Sequence, residues 1–298
     1  QRLYDLQTWW FEEMIASPTP ITETMTLFWH NHFVSSQRKV NSNALMYRQH
    51  ELLRSQALGN FGDLLREISS DPAMVIYLDT YVNRKSAPNE NYARELLELF
   101  ALGEGHYTEQ DIKHIARAFT GWTVERRCKK PPRSACQSGG TFRKDQRKHD
   151  AGVKTFFGET GRFGGEDVAD ILLKQPRTAE FIVEKLWRAF ISDTPDPAEV
   201  TRLSRIFRDS DYEMKPVLTA LLTSDAFWAP ENRAALIKSP VDLLVGTVRQ
   251  FDLSVPDAFV LARFSGDIGQ LLFRPPNVRG WPGGEAWITA DSLLRRQS

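Results

Sequence analysis

Apolar residues recur at a period near 3.6 through most of this chain, and helix-starting and helix-stopping residues punctuate the segments that carry it. That pattern commits the backbone to helices that each bury one face, and it leaves little sequence for strands. In "LYDLQTWWFEEMIA", Leu3, Leu6, Trp9 or Trp10, and Ile15 fall at helical spacing. "PITETMTLFWHNHF" opens with Pro20 after Thr19, a first-turn arrangement in which the missing N–H costs nothing. "NALMYRQHELLRSQALG" runs to a stop at Gly59, and "FGDLLREISS" and "DPAMVIYLDT" follow as short helices. "PNENYARELLELFALG" is predicted to start at Pro88 and stop near Gly103. "TEQDIKHIARAFTG" offers Thr108 as a cap with Asp111 three residues on. Helices resume at "EDVADILLKQ" and "PRTAEFIVEKLWRAFI" and continue through "PAEVTRLSRIFRDS", "MKPVLTALLTSDAFW" and "PVDLLVGTVRQFD". The end, "LLFRPPNVRGWPGGEAWITADSLLRR", reads as a Pro/Gly/Trp loop entering a last helix.

The middle breaks the pattern. From Glu125 to Asp150 the chain is basic and holds Gly, Pro and both cysteines, and Thr155, Phe156 and Phe157 then lie between glycines as a short strand or hairpin. The fold expected is mainly α, a multi-helix globular bundle with a small β-hairpin element near residues 140–158. No fixed-period repeat points to a solenoid. A soft boundary around Gly161 to Gly165 separates an N-terminal helical part, residues 1–160, from a C-terminal helical part, residues 161–298, packed on it; the alternative is one continuous domain.

Charge narrows the partners. Lys and Arg balance Asp and Glu at 38 each, so no global field draws the chain to nucleic acid or to an anionic membrane. No apolar run reaches the roughly 20 residues of a membrane-spanning helix, and no charged and apolar leader opens the chain. Gln1 is an unusual start, so the chain reads as a mature or trimmed form. Cys128 and Cys136 flank a Pro-Pro at a spacing that can close a short loop by a disulfide, which would suit an oxidising compartment; two free thiols in a surface loop are the alternative.

The stretch "FWHNHF", Phe28 to Phe33, sets two of the chain's six histidines and an asparagine among aromatics. On a helix His30 and His32 point about 200° apart and cannot share one metal unless the helix ends between them. His32 shares its face with Phe28 and Trp29, and His30 sits nearer Thr26 and Leu27. Each imidazole either makes a buried hydrogen bond that holds neighbouring helices, or acts as a ligand or general base. Asn31 between them adds a third polar group, more readily housed in a pocket than in a dry core.

"NENYARELLELF" is the second informative stretch. On a helical wheel Asn91, Arg94, Glu95 and Glu98 share one arc, and Glu90 and Arg94 form an i,i+4 acid–base pair. This arc is either an ordinary solvated face or a cleft wall in which Glu95 and Glu98 are working carboxylates. A carboxyl in an apolar wall has a raised pKa and can act as an acid, whereas one beside Arg stays ionised. Glu95 with His30 or His32 is also a candidate ligand set for a divalent metal. Acids at Glu109 and Asp111 are explained simply by the helix start they occupy.

Between Arg126 and Lys148 lie nine Lys or Arg and one Asp, either a surface for an anionic partner such as a sulfated or uronic glycan, a nucleic acid or an acidic protein, or a solvated loop. His149–Asp150 ends this segment as a candidate catalytic pair. In "RPPNVRGWPGG", Arg274, Arg279 and Trp281 sit on restricted backbone, and Trp281 with Trp287 either lines a sugar pocket or caps the core.

The stretches "LFWHNHF", "DPAMVIYLD", "PNENYARELLELFALGEGHYTE", "ARAFTGW", "HDAGVKTFFG" and "PPNVRGWPGG" followed by Trp287 occur in this order. Together they resemble the bacterial family called domain of unknown function 1800 over nearly the whole chain. The resemblance implies a largely helical bacterial protein, often exported to the periplasm or beyond, and often encoded beside a second, sulfatase-like family. It implies members longer at both ends than this chain. It implies no reaction, and it marks His30, Asn31, His32, Asn89, Glu90, Asn91, Arg94, Glu95, Glu98, Glu109, Arg117, Trp122, His149, Asp150, Asn277, Trp281 and Trp287 as motif positions.

Two functions are therefore expected. The first is an exported hydrolase or lyase acting on a polar polymer such as a glycan, with His30, His32, Glu95, Glu98, Arg94, His149 and Asp150 catalytic and Asn31, Asn91, Arg279, Trp281 and Trp287 binding substrate. The second is a non-catalytic envelope module that binds a glycan or the co-encoded sulfatase-like protein.

Overall fold

The computed structural model describes residues 3–125 and 140–297, with side chains described as far as Arg295. Cys128 and Cys136, the disulfide expected between them, and residues 126–139 of the basic segment lie outside the described residues.

Local sequence starts the helices where the punctuation says. Helix α1, Leu3–Ala16, turns Leu6, Trp10, Phe11 and Met14 inward. Helix α2, Pro20–His32, begins with Pro20 in its first turn. A short α3, Gln37–Val40, leads to α4, Asn43–Ser55, capped by the Ser42 side chain on the Leu45 N–H. Asn60 caps α5, Phe61–Ser70, and Asp71 caps α6, Pro72–Tyr77, by accepting from both Ala73 and Met74. Such caps satisfy amides that have no partner inside the helix and contribute about 1 kcal/mol each. Thr108 and Asp111 form a full capping box on α8, Glu109–Ala118, as the spacing predicts.

The stretch predicted as one helix from Pro88 to Gly103 is divided. An α-helical α7, Asn91–Glu95, passes without a break into a π-helical turn, Leu96–Ala101. The N–H groups of Leu102 and Gly103 both return to the Leu97 carbonyl, which closes the wider turn.

The β content is two small antiparallel pairs. Strand β1, Trp122–Glu125, pairs with β2, Thr141–Lys144, setting Trp122 opposite Lys144. Strand β3, Lys154–Phe156, pairs with β4, Glu159–Gly161. The second pair overlaps the hairpin expected near residues 140–158; β2 also lies in that range, and β1 was not anticipated.

Then come α9, Gly165–Leu173, α10, Pro176–Phe190, α11, Pro197–Asp209, α12, Met214–Leu222, and α13, Asp225–Trp228. The chain closes with α14, Pro240–Gln250, α15, Phe259–Asp267, a 3-10 turn at Gly284–Trp287, and α16, Ala290–Gln297. Helix α15 was not anticipated from sequence. The architecture is mainly α, as expected.

Helix α1 packs on α14 and α15, α2 on α4, α5 on α9, and α10 on α11 and the π-turn. One apolar cluster runs through both halves, from Trp10 and Trp29 through Phe100 and Phe156 to Leu186, Phe207 and Phe273. At its centre Trp29, Phe33, Phe61 and Phe100 touch ring to ring at 5.3 to 6.3 Å. No helix among the described residues is long and apolar enough to cross a membrane.

Candidate functional site

The three polar residues at the end of α2 leave it in three directions. His30 is buried against Trp10 and Phe273, and its Nε2 lies 3.2 Å from Nδ1 of His50 on α4. Burial lowers its pKa to about 3, so the ring is neutral. His50 is also held well below the usual histidine range, by burial first and then by His30 and Arg54. The buried Nε2 of His50 has no hydrogen-bond partner among the described residues.

His32, also buried, faces the π-turn. Its Nε2 lies 3.1 Å from the Phe100 carbonyl, which only accepts, so Nε2 carries the proton. Nδ1 is thereby the acceptor, and it takes a hydrogen bond from Lys185 Nζ at 3.0 Å. Burial and the Lys185 charge keep this ring neutral. Lys185 also donates to the Leu99 carbonyl at 2.9 Å and lies 4.8 Å from the Phe181 ring centre. Burial, and then Arg188, lower its pKa to about 7. Arg177 donates to Leu102 O at 3.0 Å. The carbonyls at the end of the π-turn, which no further helical turn can satisfy, are thus covered by three side chains from α2 and α10.

Asn31 is exposed, not buried as the aromatic surroundings suggested. Its Oδ1 accepts from the Trp281 N–H at 2.6 Å and its Nδ2 donates to the Trp281 carbonyl at 3.4 Å. It pins the "NVRGWPGG" loop to α2.

That loop brings Arg279 to a region where several predicted site residues meet. Arg279 Nη2 donates to Glu98 at 2.7 Å and to Glu104 at 2.9 Å. Tyr107 OH donates to the other Glu98 oxygen at 3.2 Å. Burial, then the Glu98 charge and hydrogen bond, push the Tyr107 phenol up to about 12. Arg94 grips Glu109 through two nitrogens at 2.9 and 3.1 Å and reaches Glu90 at 3.4 Å. Glu95 differs from its neighbours. It is half-buried, and its carboxyl has no hydrogen bond or ion pair among the described residues. Burial and then the Glu98 charge raise its pKa, against the opposing pull of Arg279 and Arg94.

The remaining predicted residues serve other places. Asn91 donates to Leu78 O at 3.1 Å and fixes the loop that enters α7. Trp281 and Trp287 are buried in the core cluster, the second of the two roles read for them. His149 donates from Nδ1 to Thr120 O at 2.9 Å, and Asp150 holds Arg117 at 2.7 Å, which lowers the carboxyl to about 2. This pair anchors the segment after β2 to the end of α8 and shares no hydrogen bond with α2 or with Glu95 and Glu98 among the described residues. Neither His30 nor His32 has a carboxylate among its hydrogen-bond partners there. No group of three or more His, Cys, Asp or Glu side chains able to hold a metal ion is gathered among the described residues, and His30, His32 and Glu95 form no such group.

Three of the ordered motifs, those on α2, the π-turn and the Arg279 loop, thus meet, and a model of the family described as "Protein of unknown function (DUF1800)" matches residues 1–298. The chain belongs to this family. No curated protein and no solved structure matches it.

Tyr107 and Glu104 join the carboxylate patch but were not singled out in the sequence. The signal was present, because "GEGHYTE" follows the arc directly. Lys185 and His50 gave no signal, since each reads as an ordinary member of a helical period.

Proposed function

We propose that the chain is an exported enzyme, a hydrolase or lyase acting on a polar glycan, with Glu95 and Glu98 as its reacting groups. The observation that carries this reading is the contrast between the two carboxylates. Glu95 is half-buried and unpartnered with its pKa raised, while Glu98 accepts from both Arg279 and Tyr107. Carboxyls in such unlike environments divide acid and base roles between them. In this reading Glu95 carries the proton that the leaving oxygen takes, and Glu98 receives a proton from water or from the sugar ring. Arg279 and Tyr107 orient Glu98. Arg94 and Arg279 meet polar or anionic groups of the polymer. His30 and His32 hold α2, α4, α10 and the π-turn together and do not touch substrate. Export rests on the family resemblance.

A second reading, a non-catalytic envelope module that binds a glycan or a partner protein, is favoured by the sealing of both histidines in the core. Two measurements separate the readings. The Glu95 carboxyl, followed by carbon NMR, is expected to titrate above the ordinary range, and a normal titration removes the proposed acid. Wild type and Glu95→Gln are then compared on uronate-containing and amino-sugar polysaccharides, scoring new reducing ends and unsaturated products. The first reading requires turnover that falls about a hundredfold or more in the variant at unchanged melting temperature. Saturable binding with no turnover by wild type establishes the second.

A further inference from the structure

Away from the carboxylate patch, α1 carries a stripe of chemistry that the proposed reaction does not use. Asp5, Thr8, Trp9 and Glu12 are spaced i, i+3, i+4 and i+7, so they fall on one helix face. With Tyr4 and with Phe259 at the start of α15 they line a cleft of about 520 Å³. Its walls are braced. Tyr4 and Phe259 meet edge to face at 5.6 Å. Trp9 stands edge-on to Tyr47 at 5.3 Å and to His50 at 5.1 Å, both on α4. His50 is in turn locked to His30, so the indole rests on the core.

The lining is therefore three aromatic side chains, one of them the Tyr4 phenol, with the Thr8 hydroxyl and two carboxylates, and no cation among its described residues. Glu12 is exposed, and its carboxylate has no hydrogen bond or ion pair among the described residues. Arg54, one turn beyond His50 on α4, is already held by Glu23 and Glu13. Aromatic walls alone would suit a neutral sugar or an apolar body, and carboxylates alone would be a solvated helix face. Rings and the unpaired carboxylate of Glu12 in one cleft attract the same thing, a positive charge on an organic body. The ring faces attract it through their quadrupoles and the acids through direct charge.

We propose that this cleft binds an organic ammonium group, the class carried by amino sugars and by alkylamines. Trp9 is the ring against which the cation lies, and Glu12 is its counter-ion. The site shares no residue with Glu95, Glu98, Tyr107 and Arg279, so it stands or falls independently of the proposed reaction.

The test uses the full chain labelled with nitrogen-15, reading the tryptophan indole N–H signals, with the Trp9 signal assigned by Trp9→Phe. Tetramethylammonium, glucosamine and the neutral N-acetylglucosamine are each titrated at constant ionic strength set with sodium chloride. The proposal expects a saturable shift of the Trp9 signal with at least one of the two cations and none with N-acetylglucosamine or sodium chloride. Tighter binding of glucosamine identifies an amino sugar as the source of the ammonium, and tighter tetramethylammonium an alkylamine. Glu12→Gln is expected to weaken binding about fivefold with the other indole signals in place, whereas Glu67→Gln, a remote exposed carboxylate, leaves it unchanged. Absence of a saturable shift with either cation, an equal shift with N-acetylglucosamine, or full affinity in Glu12→Gln overturns the proposal.

Discussion

At Gly280 the backbone takes φ +89°, and a Cβ there would collide with Asn31 Oδ1. Both facts forbid a side chain, and they differ in origin. The first belongs to the loop and the second to the Asn31–Trp281 pairing. Gly280→Ala is therefore expected to cost about 1–3 kcal/mol, read from urea unfolding. Asn31→Ala removes the side-chain clash but leaves the strained φ and the Asn31 carbonyl 3.0 Å from the Cβ position, so in that background the same substitution should cost less. Equal costs in both backgrounds would show that the close approach to Asn31 is not what the glycine serves. The histidines act at this scale too. His30 falls from 6.5 to about 3 on folding, so between those pH values the unfolded chain binds more protons. Its contribution is present in full above about pH 6.5 and is lost as pH falls toward 3, at up to about 1.4 kcal/mol per pH unit. His32 and His50 shift in the same direction and steepen the loss. Melting temperatures should drop between pH 6.5 and 5, less steeply in His30→Gln; parallel curves would refute the burial argument. The divergence of His30 and His32 was legible in their spacing. Their partners His50, Phe100 and Lys185 were not, because nothing local links residues brought together only by packing.

Two segments are finished by side chains that arrive from far along the sequence. The last carbonyls of α1 receive Arg249, whose Nη1 lies 3.1 Å from Met14 O, 2.6 Å from Ile15 O and 2.9 Å from Ser17 O. The π-turn receives His32, Lys185 and Arg177 in the same way. Cationic groups suit this place, because the carbonyl end of a helix carries partial negative charge. The π-turn was not legible: Leu96, Leu97, Phe100 and Ala101 fit a helical period, and one extra residue in a turn barely shifts it. Strand β1 was missed because its pairing with β2 spans a long connection, although Trp122 and Val124 alternate as a strand's residues should. The caps predict how the π-turn yields. Lys185→Met leaves both Leu99 O and His32 Nδ1 without their donor. Hydrogen exchange at Leu102 and Gly103, whose amides close the turn, is expected to quicken about tenfold while exchange within α4 is unchanged. Unaltered exchange at both amides would mean that Phe100 and Leu97 packing alone holds the turn.

The glycines at 161–165 suggested residues 1–160 and 161–298 packed on each other, or one continuous domain, and core contacts cross between the two parts. Helix α1 turns Leu6, Trp10, Phe11 and Met14 inward and packs on α14 and α15. Gln7 donates to Leu272 O at 2.6 Å, and Phe273 lies against Trp10, His30 and His50. The beginning of the chain is thus completed by its end. On the other side, the π-turn that carries Glu98 is capped from α10, and the Arg279 that holds Glu98 comes from the last loop. Sequence motifs gave Arg94, Glu95, Glu98 and Arg279 of the carboxylate patch but not Glu104 or Tyr107, and its assembly depends on contacts between the halves. Cutting at residue 160 would bare the inner face of α1 and the far side of the π-turn. Each large apolar side chain so exposed costs about 1.5–3 kcal/mol, and a domain holds only about 5–15 kcal/mol in all. Residues 1–160 alone are therefore expected to remain unfolded, and the whole chain to lose tryptophan fluorescence and helical circular dichroism at one urea midpoint. A folded, cooperatively melting 1–160 fragment would restore the two-part division and would place the Glu98–Arg279 contact between separate bodies.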